Sequence, residues 1–144
     1  MVTRELLKQY RYIVLEIADA ETRIQRIEKR IEQLEQDGVV ADKVSGGAGG
    51  KEHFTIRGVQ SSKLTREENR LLHEKLRFVN TKNALEDIRD EIEEYIDAIP
   101  DAFTRMIFKY YFEDGMSQQE IADQLFIDQC NVSRKISDHL SQLA

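Results

Sequence analysis

From Leu6 to Leu34 the apolar residues fall alternately four and three positions apart: Leu6, Tyr10, Ile13, Ile17, Ala20, Ile24, Ile27, Ile31 and Leu34. That spacing constrains the fold more than any other feature of the chain. It is a heptad seam sustained for about four heptads, with Tyr10, Ile17, Ile24 and Ile31 at a and leucine, isoleucine or alanine at d. Charged neighbours such as Glu21, Arg23, Arg26, Glu28, Lys29 and Arg30 fill the wet side. Asp37-Gly38 reads as the stop, because glycine takes the left-handed conformation many helices end on.

A second helix is expected from Thr65, since Thr65-Arg66-Glu67-Glu68 has the form of a capping box. Its seam is Leu71, Phe78, Leu85, Ile92 and Ile99, widened by Leu72, Leu76, Val79, Ile88, Tyr95 and Ile96. Two helices of about 33 residues, roughly 50 Å each, predict an all-α fold built on a long antiparallel, coiled-coil-like helical hairpin over residues 1–99. The linking excursion, 37–63, is long for a structureless loop. Alternation in HFTIRGV makes Phe54 and Ile56, with Val40 and Val44, candidates for a minor β-hairpin turning at GGAGG. The same glycines and polar flanks equally describe a mobile tip.

The stretch VSGGAGGKEHF does not make a phosphate loop. Ser45 stands where the first glycine is needed and Glu52 where a hydroxyl should hold magnesium. Cys130 is the sole cysteine, which excludes an internal disulfide, and His53, His73 and His139 lack ligand spacing, so no metal or other cofactor is expected. Nothing approaches the roughly 20 apolar residues of a membrane span, which predicts a soluble, cytoplasmic protein without membrane contact. His73-Glu74 and Glu93-Glu94 lie on a long amphipathic helix as solvated residues, and no enzyme activity is read from them.

Residues 100–144 read differently, as short helices separated by turn signals. Pro100 suits a first helical turn, and Phe103, Met106, Ile107, Tyr110 and Tyr111 supply an apolar face that ends at Asp114-Gly115. Ser117-Gln118-Gln119-Glu120 is a second capping box, opening a helix with Ile121, Ala122 and Leu125. Asp128 is placed to cap a third helix carrying Val132, Ile136 and Leu140. The short turn between the last two gives a small helix-turn-helix domain, with Ile121, Leu125, Ile127, Val132 and Ile136 inside and Ala122 permitting close approach. Gln129, Asn131, Ser133 and Arg134 then face outward, with Lys135 near a phosphate. These side chains suit a major groove: arginine takes guanine bidentately, asparagine or glutamine takes adenine, and serine serves either.

The stretch RMIFKYYFEDGMSQQEIADQLFIDQCNVSRKI resembles region 4, the promoter-recognition domain of bacterial sigma factors, in its glycine turn, its S..EIA..L pattern and its V...I third helix. The whole chain also resembles small phage and prophage transcription regulators of the RinA and ArpU types. The resemblance implies a DNA-binding regulator whose base-reading positions fall on Gln129, Cys130, Ser133 and Arg134. It implies phosphate contacts from Ser117, Gln118 and Lys135. Phe126 departs from the pattern, standing at the turn where such domains commonly have glycine.

Charge complicates that reading. The chain carries a formal net charge of −6. In residues 101–144, Arg105, Lys109, Arg134 and Lys135 face Asp101, Glu113, Asp114, Glu120, Asp123, Asp128 and Asp138. Affinity for double-stranded DNA comes largely from phosphate contacts, so a monomer should bind weakly. A homodimer built on the long helices would present two reading helices to paired half-sites. Binding to RNA polymerase would place the DNA contacts inside a larger complex. A phage assembly or packaging component, such as a small terminase subunit, is the competing interpretation.

Overall fold

In a computed structural model of the chain the backbone is described for residues 1–46 and 51–144, and the side chains for 1–37 and 65–144. Every regular element among the described residues is helical. Two long helices, α1 (Arg4–Gly46, 43 residues) and α2 (Lys51–Asp97, 47 residues), pack together and are followed by α3 (Ala102–Phe108), α4 (Gln118–Leu125) and α5 (Gln129–Leu140). A π-helical turn, Lys109–Glu113, continues α3 directly.

Both long helices extend further into the linking segment than the signals at Asp37-Gly38 and Thr65 predict. Helix α1 passes through Gly38, and α2 is already helical well before Thr65. The backbone at Val40, Val44, Phe54 and Ile56 is likewise helical, so the minor β-hairpin does not form there. Extending an existing helix needs no new nucleus, whereas an isolated two-stranded ribbon is marginal in water. That advantage outweighs the roughly 1 kcal/mol penalty of an interior glycine. The turn expected at GGAGG lies, at Gly47 to Gly50, outside the described residues.

The chain divides into two compact units, Met1–Ile17 with Asn83–Ala144, and Ala18–Lys82. In the Ala18–Lys82 unit, Ile27, Leu34 and Leu71 are buried together, with Ile31 and Phe78 packed against them. Glu28 pairs with Lys75 at 3.2 Å and Glu21 with Lys82 at 3.4 Å. Arg23 and Arg77 both lie over the Phe78 ring, 5.6 and 5.2 Å from its centroid. Leu72 and Leu76 do not widen the seam as expected and remain exposed. A heptad stripe that meets one partner helix is narrow, so flanking positions stay wet.

The other unit holds the larger core. Leu7, Tyr10, Ile13 and Ile17 of α1 join Ile92, Ile96 and Ile99 of α2 and its exit, together with residues of α3, α4 and α5, in one cluster. Complete burial of side chains such as Leu7, Ile92, Ile96 and Phe108 contributes about 1.5–3 kcal/mol apiece. Tyr10 occupies a buried seam position yet keeps a partner, donating its hydroxyl to Glu93 Oε1 at 2.6 Å. Burial, reinforced by the Glu93 carboxylate, pushes the phenol far up, so it remains a donor.

Helix α3 starts at Ala102, two residues after Pro100, which lies outside the helix. Asp101 is the cap, accepting from the Thr104 N–H at 3.2 Å and from its hydroxyl at 2.6 Å. The Arg105 guanidinium reaches back to the Ile99 carbonyl at 2.7 Å. Along α3 and the π turn, Ile107, Phe108 and Phe112 are buried while Met106 is left exposed. The turn closes at Gly115, the end expected for this apolar face, where the backbone is left-handed at φ +70°.

Candidate nucleic-acid interface

Two local signals position α4 and α5. Ser117, extended at φ −70° and ψ 159°, caps α4 by accepting the Glu120 N–H at 3.1 Å. Its hydroxyl in turn donates to Glu120 Oε1 at 3.2 Å, so the carboxylate engages the hydroxyl of the cap. Asp128 holds the corresponding place before α5, but its side chain makes no cap bond. Its backbone carbonyl accepts from Asn131 N–H at 3.0 Å.

Between the two helices the chain turns on Phe126. Its backbone adopts φ 57° and ψ 45°, the left-handed conformation usually left to glycine, and the Ile127 N–H closes the turn on the Ala122 carbonyl at 3.0 Å. The turn geometry is therefore the one glycine would give, achieved with a phenyl side chain that is 94% exposed.

The inward residues expected from sequence separate into two groups. Ile121, Ala122, Val132 and Ile136 are buried, and Ala122, at 1% exposure, sits where α4 and α5 pack together. Leu125, Ile127 and Leu140 are half-buried at the edge of the same core. At the other end of α5, His139 stacks edge-on against Phe108, with ring centroids 4.7 Å apart, and its Nε2 lies 2.8 Å from the Tyr95 hydroxyl. Helix α5 is thus anchored by its inner face, and its outer face is left to solvent.

On that outer face Gln129, Cys130, Asn131, Arg134 and Lys135 are exposed, and Ser133 is half-buried. Ser117 is exposed and Gln118 half-buried at the start of α4. Arg134 makes no ion pair or hydrogen bond with any described residue. Lys135 is more engaged: its ammonium lies 4.0 Å from Asp101 Oδ2 and 5.7 Å from the centre of the Phe103 ring. Thr104, through its hydroxyl and its N–H, holds the Asp101 carboxyl below its ordinary range, and Lys135 adds to this.

The remaining cations of the C-terminal segment serve the fold. Arg105 holds the Ile99 carbonyl, and Lys109 pairs with Asp97 at 2.9 Å. Arg134 and Lys135 therefore carry most of the positive charge this face can offer a phosphate. Among the described residues no three His, Cys, Asp or Glu side chains gather to hold a metal ion. Nor is any described helix long and apolar enough to cross a membrane.

Phe108, Phe112 and Leu7 are buried without standing out in the sequence pattern, and His139, which has no metal-ligand spacing, instead fastens α5. The His139 signal was present in outline, as a polar residue seven positions after the inward Val132. Comparison with protein-family models, with curated proteins and with solved structures finds no match to this chain.

Proposed function

We propose that this protein is a sequence-specific DNA-binding transcription regulator of phage or prophage origin, in which α4 and α5 form a helix-turn-helix related to sigma region 4 and α5 reads the major groove. One observation carries the reading. Helices α4 and α5 bury Ile121, Ala122, Val132 and Ile136 against each other and the core, which leaves Gln129, Asn131 and Arg134 exposed on the first turns of α5. A recognition helix enters a groove with its N-terminal residues foremost, and these side chain types match base edges. Ser117 and Gln118, at the opening of α4, take the place of phosphate contacts.

In this reading α1 and α2 form an antiparallel hairpin, supported by the pairing of Glu21 with Lys82 and of Glu28 with Lys75. Burial of most of the seam within one chain removes the need for a second copy to cover it. The homodimer rests instead on the gain in effective concentration at paired half-sites. A second reading, attachment to RNA polymerase, is favoured by the commitment of Arg105 and Lys109 to structural contacts. With so few cations left, the DNA contacts would then operate inside a larger assembly.

Selection of the purified chain against randomised duplex DNA, with the affinity of the winners followed against salt, tests the proposal. A recovered motif with a shallow salt slope is the expected result, because the slope scales with the number of phosphates neutralised. Failure to enrich any duplex, alone and with RNA polymerase present, would sink it. Ring oligomers in light scattering would favour the packaging component.

A further inference from the structure

Phe126 is costly to the fold on two counts. An L side chain enters the left-handed region only against steric resistance, and glycine would hold the same turn without it. The phenyl group recovers little by packing, being 94% exposed, the most exposed of the large apolar side chains described. Its neighbours Leu125 and Ile127 contribute to the core, so the outward position belongs to Phe126 alone. A strained residue with no structural return is a reason to look for what it meets.

Its surroundings narrow the choice. A protein-docking anchor sits among other apolar groups that exclude water, but the exposed residues next to Phe126 in sequence are Asp123, Gln124, Asp128 and Gln129. A single aromatic group among hydrogen-bonding side chains, three residues before the first residue of α5, fits a groove floor in which polar and methyl groups alternate. With Asp123 and Asp128 as its exposed charged neighbours in sequence the turn has no cation to offer a phosphate, so a DNA contact made there by an uncharged phenyl group is one to a base edge. The apolar feature of the major groove is the thymine C5-methyl group, and phenylalanine is among the side chains that contact it.

We infer that Phe126 is a specificity-determining residue whose phenyl group meets a thymine methyl at the edge of the sequence read by α5. The inference rests on the DNA reading proposed above. It adds to the polar residues of α5 an apolar contact from the turn, at the position where the sequence departs from glycine.

The test uses the full chain, its Phe126→Gly and Phe126→Leu variants, and the duplex selected by the parent. Each thymine of the site is replaced singly by deoxyuridine, which keeps base pairing and deletes only the methyl. The parent should lose about fourfold in affinity at one thymine, the value of one buried methyl. Phe126→Gly should bind the unmodified duplex about fivefold more weakly and be indifferent to that replacement, while melting no lower than the parent. Phe126→Leu, still apolar, should retain the dependence on the methyl. If Phe126→Gly keeps the parental affinity, or loses affinity with the deoxyuridine profile unchanged, the contact is refuted and the DNA reading stands. If the parent enriches no duplex, either alone or with RNA polymerase present, the DNA reading fails and the contact falls with it.

Discussion

The Nε2 of His139, near the end of α5, lies 2.8 Å from the hydroxyl of Tyr95 on α2. Burial holds the imidazole below its ordinary pKa and the phenol above its own, so both are neutral near pH 7. In the neutral ring with its proton on Nδ1, Nε2 accepts the tyrosine hydroxyl. A base whose folded pKa is depressed binds fewer protons in the folded state than in the unfolded chain. Its linkage term therefore leaves stability intact above the unfolded value of about 6.5 and removes it as pH falls from there through the folded pKa. Urea midpoints measured between neutral and mildly acidic pH should decline for the parent. In His139→Gln that component should be absent, and an unchanged slope would remove His139 as its source.

Arg134→Ala should separate binding from folding. The side chain is exposed and makes no ion pair or hydrogen bond with described residues, so the melting temperature should stay near the parental value. Affinity for the selected duplex should fall by about 1–3 kcal/mol, with relaxed specificity at one base pair. Lys135→Ala should instead weaken binding to all duplexes alike and reduce the salt slope by about one. Equal binding by parent and Arg134→Ala would show that α5 is not the reading helix.

Ile121→Ala should cost stability heavily. The side chain is fully buried between α4 and the rest of its core, and loss of a buried isoleucine to alanine costs about 2–5 kcal/mol. Chemical denaturation should show the loss as a lower midpoint. A change under about 1 kcal/mol would mean that the interior of α4 and α5 collapses around the gap.

Gly115→Ala should also destabilise, for a different reason. At φ +70° an added Cβ costs roughly 1–2 kcal/mol in backbone strain, and it would stand 2.8 Å from Arg11 Cζ. Arg11 holds the Glu113 carbonyl at 3.0 Å, so relieving the clash also disturbs that bond. The double variant Arg11→Ala, Gly115→Ala removes the clash but retains the strain. Thermal melts should place it below Arg11→Ala alone.

What the sequence disclosed follows from the range over which each signal acts. The heptad seam was legible because burial repeats it residue by residue: Tyr10, Ile13, Ile17, Ala20, Ile27 and Leu34 are all buried. The inward residues of α4 and α5 were legible because Ser117, Ala122 and the spacing from Val132 to Ile136 act within a few residues of one another. Phe112 was not, because it lies in the π turn from Lys109, which interrupts the α-helical repeat, while Phe108, the last residue of α3, is buried directly beside Ile107. Leu7 falls between the seam positions Leu6 and Tyr10, and its burial belongs to a cluster that also takes in residues of α3, α4 and α5, which a local repeat does not report. The stop expected at Gly38 and the start expected at Thr65 misled for a related reason: a local boundary motif competes with propagation of a helix already formed.

The core that includes α4 and α5 draws on Met1–Ile17 as well as Asn83–Ala144, with residues 18–82 intervening. The apolar face of Met1–Ile17 therefore gains its full set of neighbours only once the segment carrying α4 and α5 has been made and folds back onto it. Contacts separated by so much chain close late and slowly, because the entropy of closing the loop is spent before they form. Until then Leu7, Ile13 and Ile17 lack part of the apolar surroundings that bury them, and an incompletely covered apolar stripe is the kind of surface through which folding chains associate wrongly.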